Sequence, residues 1–130
     1  DTLDIDITYP SLGNIKAQGQ ITMDSPTQFK FDATTKGEND FHGRLTGTLQ
    51  RTEEAKEATE EARRRGITTQ AAQLLPGTWQ ATFTNEDGQT SQGQIHFQPR
   101  SPYTMDIVAQ GTISDGRPIV GYGKATVKTP

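Results

Sequence analysis

The chain has 130 residues, no cysteine and a formal charge of −3, and only 30% of its residues are hydrophobic, ten of them alanine. That size fits one domain with a single core, and the lack of cysteine excludes disulfides, a thiolate nucleophile and cysteine-rich zinc sites. The acidic balance argues against general nucleic-acid affinity, which needs clustered Lys and Arg, and no apolar run approaches the roughly 20 residues of a membrane-spanning helix.

So few large apolar side chains can line strands on one face only, which predicts half-buried strands with a wet outer side. Leu3-Asp4-Ile5-Asp6-Ile7-Thr8 alternates strictly and is the first strand. Tyr9 to Asn14 reads as a loop, punctuated by Pro10 and Gly13-Asn14. Ile15 to Met23 resumes the alternation, with Ile15, Ala17, Gly19, Ile21 and Met23 on one face, and Asp24-Ser25-Pro26 turns the chain. Phe29, Phe31 and Ala33 then face inward, with Lys30 and Asp32 outward. After the polar turn Lys36–Asp40, the residues Phe41, Gly43, Leu45, Gly47 and Leu49 make the inner face of a fourth strand.

The stretch Arg51 to Pro76 reads differently. Thr52 is suited to cap a helix, Glu53 and Glu54 to occupy its first turn, and Arg63, Arg64 and Arg65 its last turn before Gly66. Glu60 with Arg64 and Glu61 with Arg65 are favourable i,i+4 pairs, and the apolar stripe is only Ala55, Ala58 and Ala62. The helix dipole accounts for the three arginines more simply than a phosphate-binding patch does.

A second set of strands follows. Thr78 to Phe83 is the fifth, Glu86-Asp87-Gly88 turns, and Ser91 to Gln98 carries Ile95 and Phe97 on one face. Pro99 to Pro102 breaks that strand; Tyr103 to Ile113 follows, with Tyr103, Met105, Ile107 and Ala109 on one face. Ser114 to Pro118 turns, and Ile119 to Val127 is the last strand.

The two halves can be superposed. Gln18-Gly19-Gln20-Ile21 matches Gln92-Gly93-Gln94-Ile95, Ser25-Pro26 matches Ser101-Pro102, and Leu3, Ile5 and Ile7 fall on Trp79, Ala81 and Phe83. The blocks drift by two residues, a slip that the sequence assigns to turns. The expected architecture is mainly β in one domain, 1–130: about eight antiparallel strands as a barrel or two-sheet sandwich. Two four-stranded repeats, 1–50 and 77–130, would be joined by one helix within 51–76. Glycines at inward phases (Gly19, Gly43, Gly47, Gly93, Gly121 and Gly123) suit the tight bending of a small barrel.

Gly77-Thr78-Trp79, after Leu75-Pro76 at the head of a strand, resembles the Gly-x-Trp signature that opens the first strand of lipocalins and related calycin barrels. The resemblance covers three residues and falls in mid-chain rather than near the start. It implies a barrel closed at one end by Trp79 and holding a small apolar molecule. Phe83, Phe97, Met105, Ile107 and Tyr122 would be the lining. A tryptophan that simply fills a core is the alternative.

Catalytic groups do not assemble from the sequence. His42 and His96 occupy polar phases of their strands, and no Gly-x-Ser-x-Gly elbow is present. Asp4 and Asp6 share one face and could hold a hard cation or act as a carboxylate pair, but a wet strand face explains them more simply. Three functions compete: a small-molecule-binding barrel, a structural or protein-interaction module with a filled core, and an enzyme of unspecified reaction. The favoured reading is a non-enzymatic binding or interaction domain, with no cofactor or metal. Its partner would be a small apolar ligand or a protein, and self-association stays open. A start at Asp1 without Met, and strands rich in Thr, Gln and Gly, favour an extracytoplasmic place, as a mature secreted product or an excised domain.

Overall fold

A computed structural model of the chain describes residues 2–10, 13–25, 27–37, 42–53, 75–101, 103–112 and 116–127. Eight strands form in the expected order: β1 (Thr2–Tyr9), β2 (Ile15–Ser25), β3 (Gln28–Lys36), β4 (His42–Arg51), β5 (Gly77–Asn85), β6 (Thr90–Ser101), β7 (Thr104–Thr112) and β8 (Pro118–Val127). Each pairs antiparallel with the next, and β8 returns to pair with β1. Of the two arrangements expected, the closed barrel is the one adopted. Closure leaves no sheet edge to protect.

The alternation read from the sequence is the alternation of burial. Leu3, Ile5, Ile7 and Tyr9 point inward from β1, and Phe29, Phe31 and Ala33 from β3. Trp79 and Ala81 on β5, Ile95 and Phe97 on β6, and Met105, Ile107 and Ala109 on β7 complete most of the core. The outer wall is polar, with Arg44 held by both Nε and Nη2 on Asp32 (3.1 and 2.7 Å). That contact keeps the Asp32 carboxyl below the usual carboxylate range, chiefly through the hydrogen bond.

Several inward glycines are there because two backbones nearly touch. A Cβ at Gly19 would lie 2.0 Å from the Asp32 carbonyl oxygen, at Gly47 2.2 Å from that of Thr82, and at Gly123 1.8 Å from that of Asp6. Only a residue without a side chain permits such an approach.

The structure corrects the sequence reading at its strand ends. Tyr9, assigned to a loop, closes β1 with its side chain inward. Pro99 does not break β6, which runs on to Ser101; it stands at a register shift opposite Met105, where the N–H that proline lacks is not needed by a regular ladder. Tyr103, expected inward beside Met105, belongs to the β6–β7 turn and is 56% exposed. Its backbone N–H donates to Ser101 Oγ and its carbonyl accepts from the Val127 N–H, so the side chain swings outward.

No helical element lies among the described residues. The helix expected within 51–76 falls almost wholly on 54–74, outside them, and so do Phe41 and Ile113. Arg51 itself is the last residue of β4, directly opposite Trp79, and the Thr52 hydroxyl donates to the Thr78 carbonyl.

Of the two slips between the halves, one falls in a turn as expected: nine residues separate Ile7 from its partner Ala17, but seven separate Phe83 from Ser91. The other does not fall in a turn. Gly19 stands opposite Ala33, but Gly93 stands opposite Gly111. The extra residues sit inside β6, between Gly93 and Ser101, rather than in a turn. A shift of two preserves which face each side chain occupies; a shift of one would have turned the core outward.

Candidate functional site

The strand order separates the barrel into two unlike ends. At one end lie the β2–β3 and β6–β7 turns, the start of β1, the end of β8 and the points where residues 52–76 leave and re-enter. This end is packed solid. Trp79 is fully buried, its indole Nε1 donates to the Leu75 carbonyl at 2.8 Å, and its ring meets Phe29 edge-on at 5.1 Å. Gly77 makes that contact possible. Its φ of 109° is one that side-chain-bearing residues rarely adopt, and it brings the chain from Leu75 into β5 with the indole beneath the carbonyl.

The other end gathers the β1–β2, β3–β4, β5–β6 and β7–β8 connections, and here the interior is hollow. A cavity of about 410 Å³ opens among Tyr9, Ile15, Leu45, Phe83, Ala109 and Ile119, with His42, Arg44, Glu86 and Gln89 nearer its mouth. Its size is within the range of small-molecule sites. Phe83 forms part of the floor: it lines the cavity while its ring packs edge-on against buried Phe31, 4.9 Å away. Leu45, Phe83 and Ile119 are packed on the core yet only partly buried, so their free apolar surface faces inward.

One wall is fixed by a turn. Asn85 Oδ1 accepts from the backbone N–H groups of Asp87 and Gln89, both at 3.0 Å, and Asn85 Nδ2 donates to Gln89 Oε1. Gly88, at φ 78°, takes the left-handed position that this turn demands.

The site residues expected from the sequence divide among four places. Trp79 lies at the closed end. Phe83 lines the cavity. Phe97 and Met105 are 1% and 2% exposed and belong to the packed core, together with Ile107; none of them lines the cavity. Tyr122 does not face the interior at all. It is 57% exposed on the outer wall, between inward Gly121 and Gly123, whose phase already excluded it. The sequence reading missed Tyr9, Ile15, Leu45 and Ile119 as lining. The inward phase of Ile15 and Leu45 is legible in the sequence but their height along the barrel is not, and Tyr9 reads as loop.

The titratable side chains singled out earlier are dispersed. His42 is exposed at the mouth, whereas His96 lies on the outer wall with Nδ1 2.9 Å from Thr78 Oγ1. Asp4 and Asp6 each meet a glutamine across the strand pair, Gln20 and Gln18, at 3.4 Å. No group of three or more His, Asp or Glu that could hold a metal occurs among the described residues.

Burial pushes the pKa of the Tyr9 hydroxyl up to about 12. A raised pKa means that the folded chain holds this proton more tightly than the unfolded chain, whose tyrosine titrates near about 10. The associated stability is complete below about pH 10 and is lost as pH climbs towards about 12. Urea midpoints measured across that window are expected to fall by the equivalent of ~2 kcal/mol, and Tyr9→Phe should remove most of the fall.

No protein-family model and no curated protein matches the chain. Among solved structures it is similar to EF1p2_mFAP2b bound to DFHBI, with a TM-score of 0.57 and 14% identity over 98% of this chain and 91% of that one. It is similar also to a redesigned β-barrel, mFAP1, bound to DFHBI (TM-score 0.56, 18% identity, 96% of this chain and 91% of that one). A de novo designed fluorescence-activating β-barrel matches with a TM-score of 0.55 and 13% identity, over 98% of this chain and 91% of that one. These likenesses show the fold, an eight-stranded antiparallel barrel. No helix of the described residues is long and apolar enough to cross a membrane.

Proposed function

We propose that this chain is a small-molecule-binding barrel whose ligand, mostly apolar, occupies the cup above Phe83. One observation carries the reading: apolar surface of Leu45, Phe83 and Ile119 is left uncovered around about 410 Å³ of interior space. Apolar surface inside a closed barrel has no folding role unless something covers it. The solid end around Trp79 supports the same division of labour, since it leaves the cup as the entry. The similar barrels bound to DFHBI support it by analogy of fold alone. The Gly77-Thr78-Trp79 resemblance adds that Trp79 serves as the plug.

We also read the barrel as a duplicated four-stranded unit. In support, the Arg51 N–H donates to the Thr27 carbonyl at 2.9 Å, and the Val127 N–H to the Tyr103 carbonyl at 2.8 Å. The same serine turn recurs beside each, through Ser25 Oγ and Ser101 Oγ.

Titration with prodan, a neutral solvatochromic naphthyl ketone, tests the binding reading. Saturable blue-shifted emission is expected, and Ala109→Phe, which fills the cup from β7, should weaken it by about tenfold or more, the equivalent of ~1.4 kcal/mol. Its urea midpoint should stay near that of the parent, because the added ring enters empty space. Emission that never saturates, or that ignores the filled cup, would overturn the proposal.

A further inference from the structure

The cup contains a hydrogen-bond donor that no other described residue pairs with. Tyr9 lines the cavity from the inward face of β1 and is 7% exposed. Its ring rests on Gly121, where a Cβ would come within 2.6 Å of Tyr9 Cε1, so the glycine supplies the space that the ring occupies. The Tyr9 hydroxyl makes no hydrogen bond among the described residues, and it is not sealed off but opens onto the cup. Burial alone raises its pKa, so the phenol stays protonated and acts as a donor. An apolar occupant that shut this hydroxyl off from water would leave it unpaired at a cost, so occupants that satisfy it are favoured.

The charges around the mouth narrow the class further. Among the described lining residues Arg44 carries the one permanent positive charge, and both Nε and Nη2 are engaged by Asp32 on the outer wall. Glu86 and Asp87 stand at the same mouth. A carboxylate would find no available cation among the described lining residues at Tyr9's depth. A cationic head would find a donor where it needs an acceptor.

Resting on the binding reading above, we infer that the ligand is an uncharged, mostly apolar molecule with one acceptor group, a ketone, ester or amide carbonyl, and that the Tyr9 hydroxyl donates to it. Tyr9 is thus a specificity-determining residue: it selects for the acceptor and not for the apolar body.

The test uses prodan, its analogue without the propionyl group, and decanoate, each on the parent chain and on Tyr9→Phe. The variant keeps the ring on Gly121 and removes only the oxygen. Prodan is expected to bind Tyr9→Phe about three- to tenfold more weakly, the range of one neutral hydrogen bond, while the carbonyl-free analogue binds both chains alike. The infrared carbonyl stretch of bound prodan should lie lower in the parent than in the variant. Decanoate should fail to displace prodan from the parent. If both naphthalenes bind but Tyr9→Phe changes neither, or both equally, the inference about Tyr9 falls and the binding reading stands. Displacement by decanoate would overturn the uncharged class. If neither naphthalene binds the parent, both readings fall together.

Discussion

Trp79→Ala is expected to destabilise the barrel by about 3–5 kcal/mol, the range for removing a large aromatic side chain from a packed core. The indole is fully buried, and three kinds of interaction disappear with it. Apolar contact with the floor of the closed end is lost, the edge-on pairing with Phe29 goes, and the Leu75 carbonyl loses its 2.8 Å donor. That carbonyl precedes the turn through Gly77, so the entry of β5 loosens as well. Trp79→Phe should fall between, because it keeps an aromatic ring but still orphans the carbonyl. Urea unfolding followed by far-ultraviolet circular dichroism gives both values, since the variants lose the chain's single tryptophan as a probe. A loss under about 1 kcal/mol for Trp79→Ala would show that the closed end is not packed as described. Trp79→Phe should also leave prodan affinity nearly unchanged, as plug and cup lie at opposite ends.

The second large effect is expected at the seam where the barrel closes. Gly123→Ala would place a methyl group 1.8 Å from the Asp6 carbonyl oxygen and 2.7 Å from Ile7 Cα, both backbone atoms of the neighbouring strand. Neither can turn aside as a flexible side chain could, so β8 and β1 must separate. A cost of about 3 kcal/mol is expected, at the upper end for overpacking. Gly111→Ala is the internal control. Its Cβ would meet the Gln92 carbonyl oxygen at 3.2 Å, which a small strand movement can relieve. The reduced freedom of the unfolded chain offsets part of that strain, so a change within about 1 kcal/mol is expected. Native-state hydrogen exchange should show the difference in place: amides of β1 and β8 exchange faster in Gly123→Ala, and those of β3 and β4 do not. Equal costs at both glycines would refute the close-approach explanation.

Much of the candidate site was visible in the sequence as a set of phases and invisible as a place. Phe83, Phe97 and Met105 share an inward phase, yet one faces a void and two are packed. Alternation assigns a residue to a face and carries no information about depth along the barrel axis. Depth depends on which residues of the next strand lie opposite, and that register is set by bulges such as those at Met23/Ser25 and Pro99/Ser101. Tyr122 is a different case. The inward glycines on either side of it already required an outward side chain, and its aromatic character outweighed the phase in the sequence reading. Tyr9 was hidden by the opposite bias, because its neighbour Pro10 reads as loop.

The amino-acid order alone determined the eight strands, their inward faces, the small residues where backbones would meet, and the buried tryptophan. Each of these follows from local rules, a period of two and the absence of a side chain, that act within one strand. Tertiary structure alone decided the rest. Pairing of β8 with β1 chose a barrel over a sandwich, through contacts between the first and last strands that no local pattern encodes. It also left the core too small to fill both ends. The apolar side chains fill the end around Trp79 and thin out towards Tyr9 and Ile119. What remains there is a cup with the Tyr9 hydroxyl in its wall, formed from strands distant in sequence and brought together only when the barrel closes.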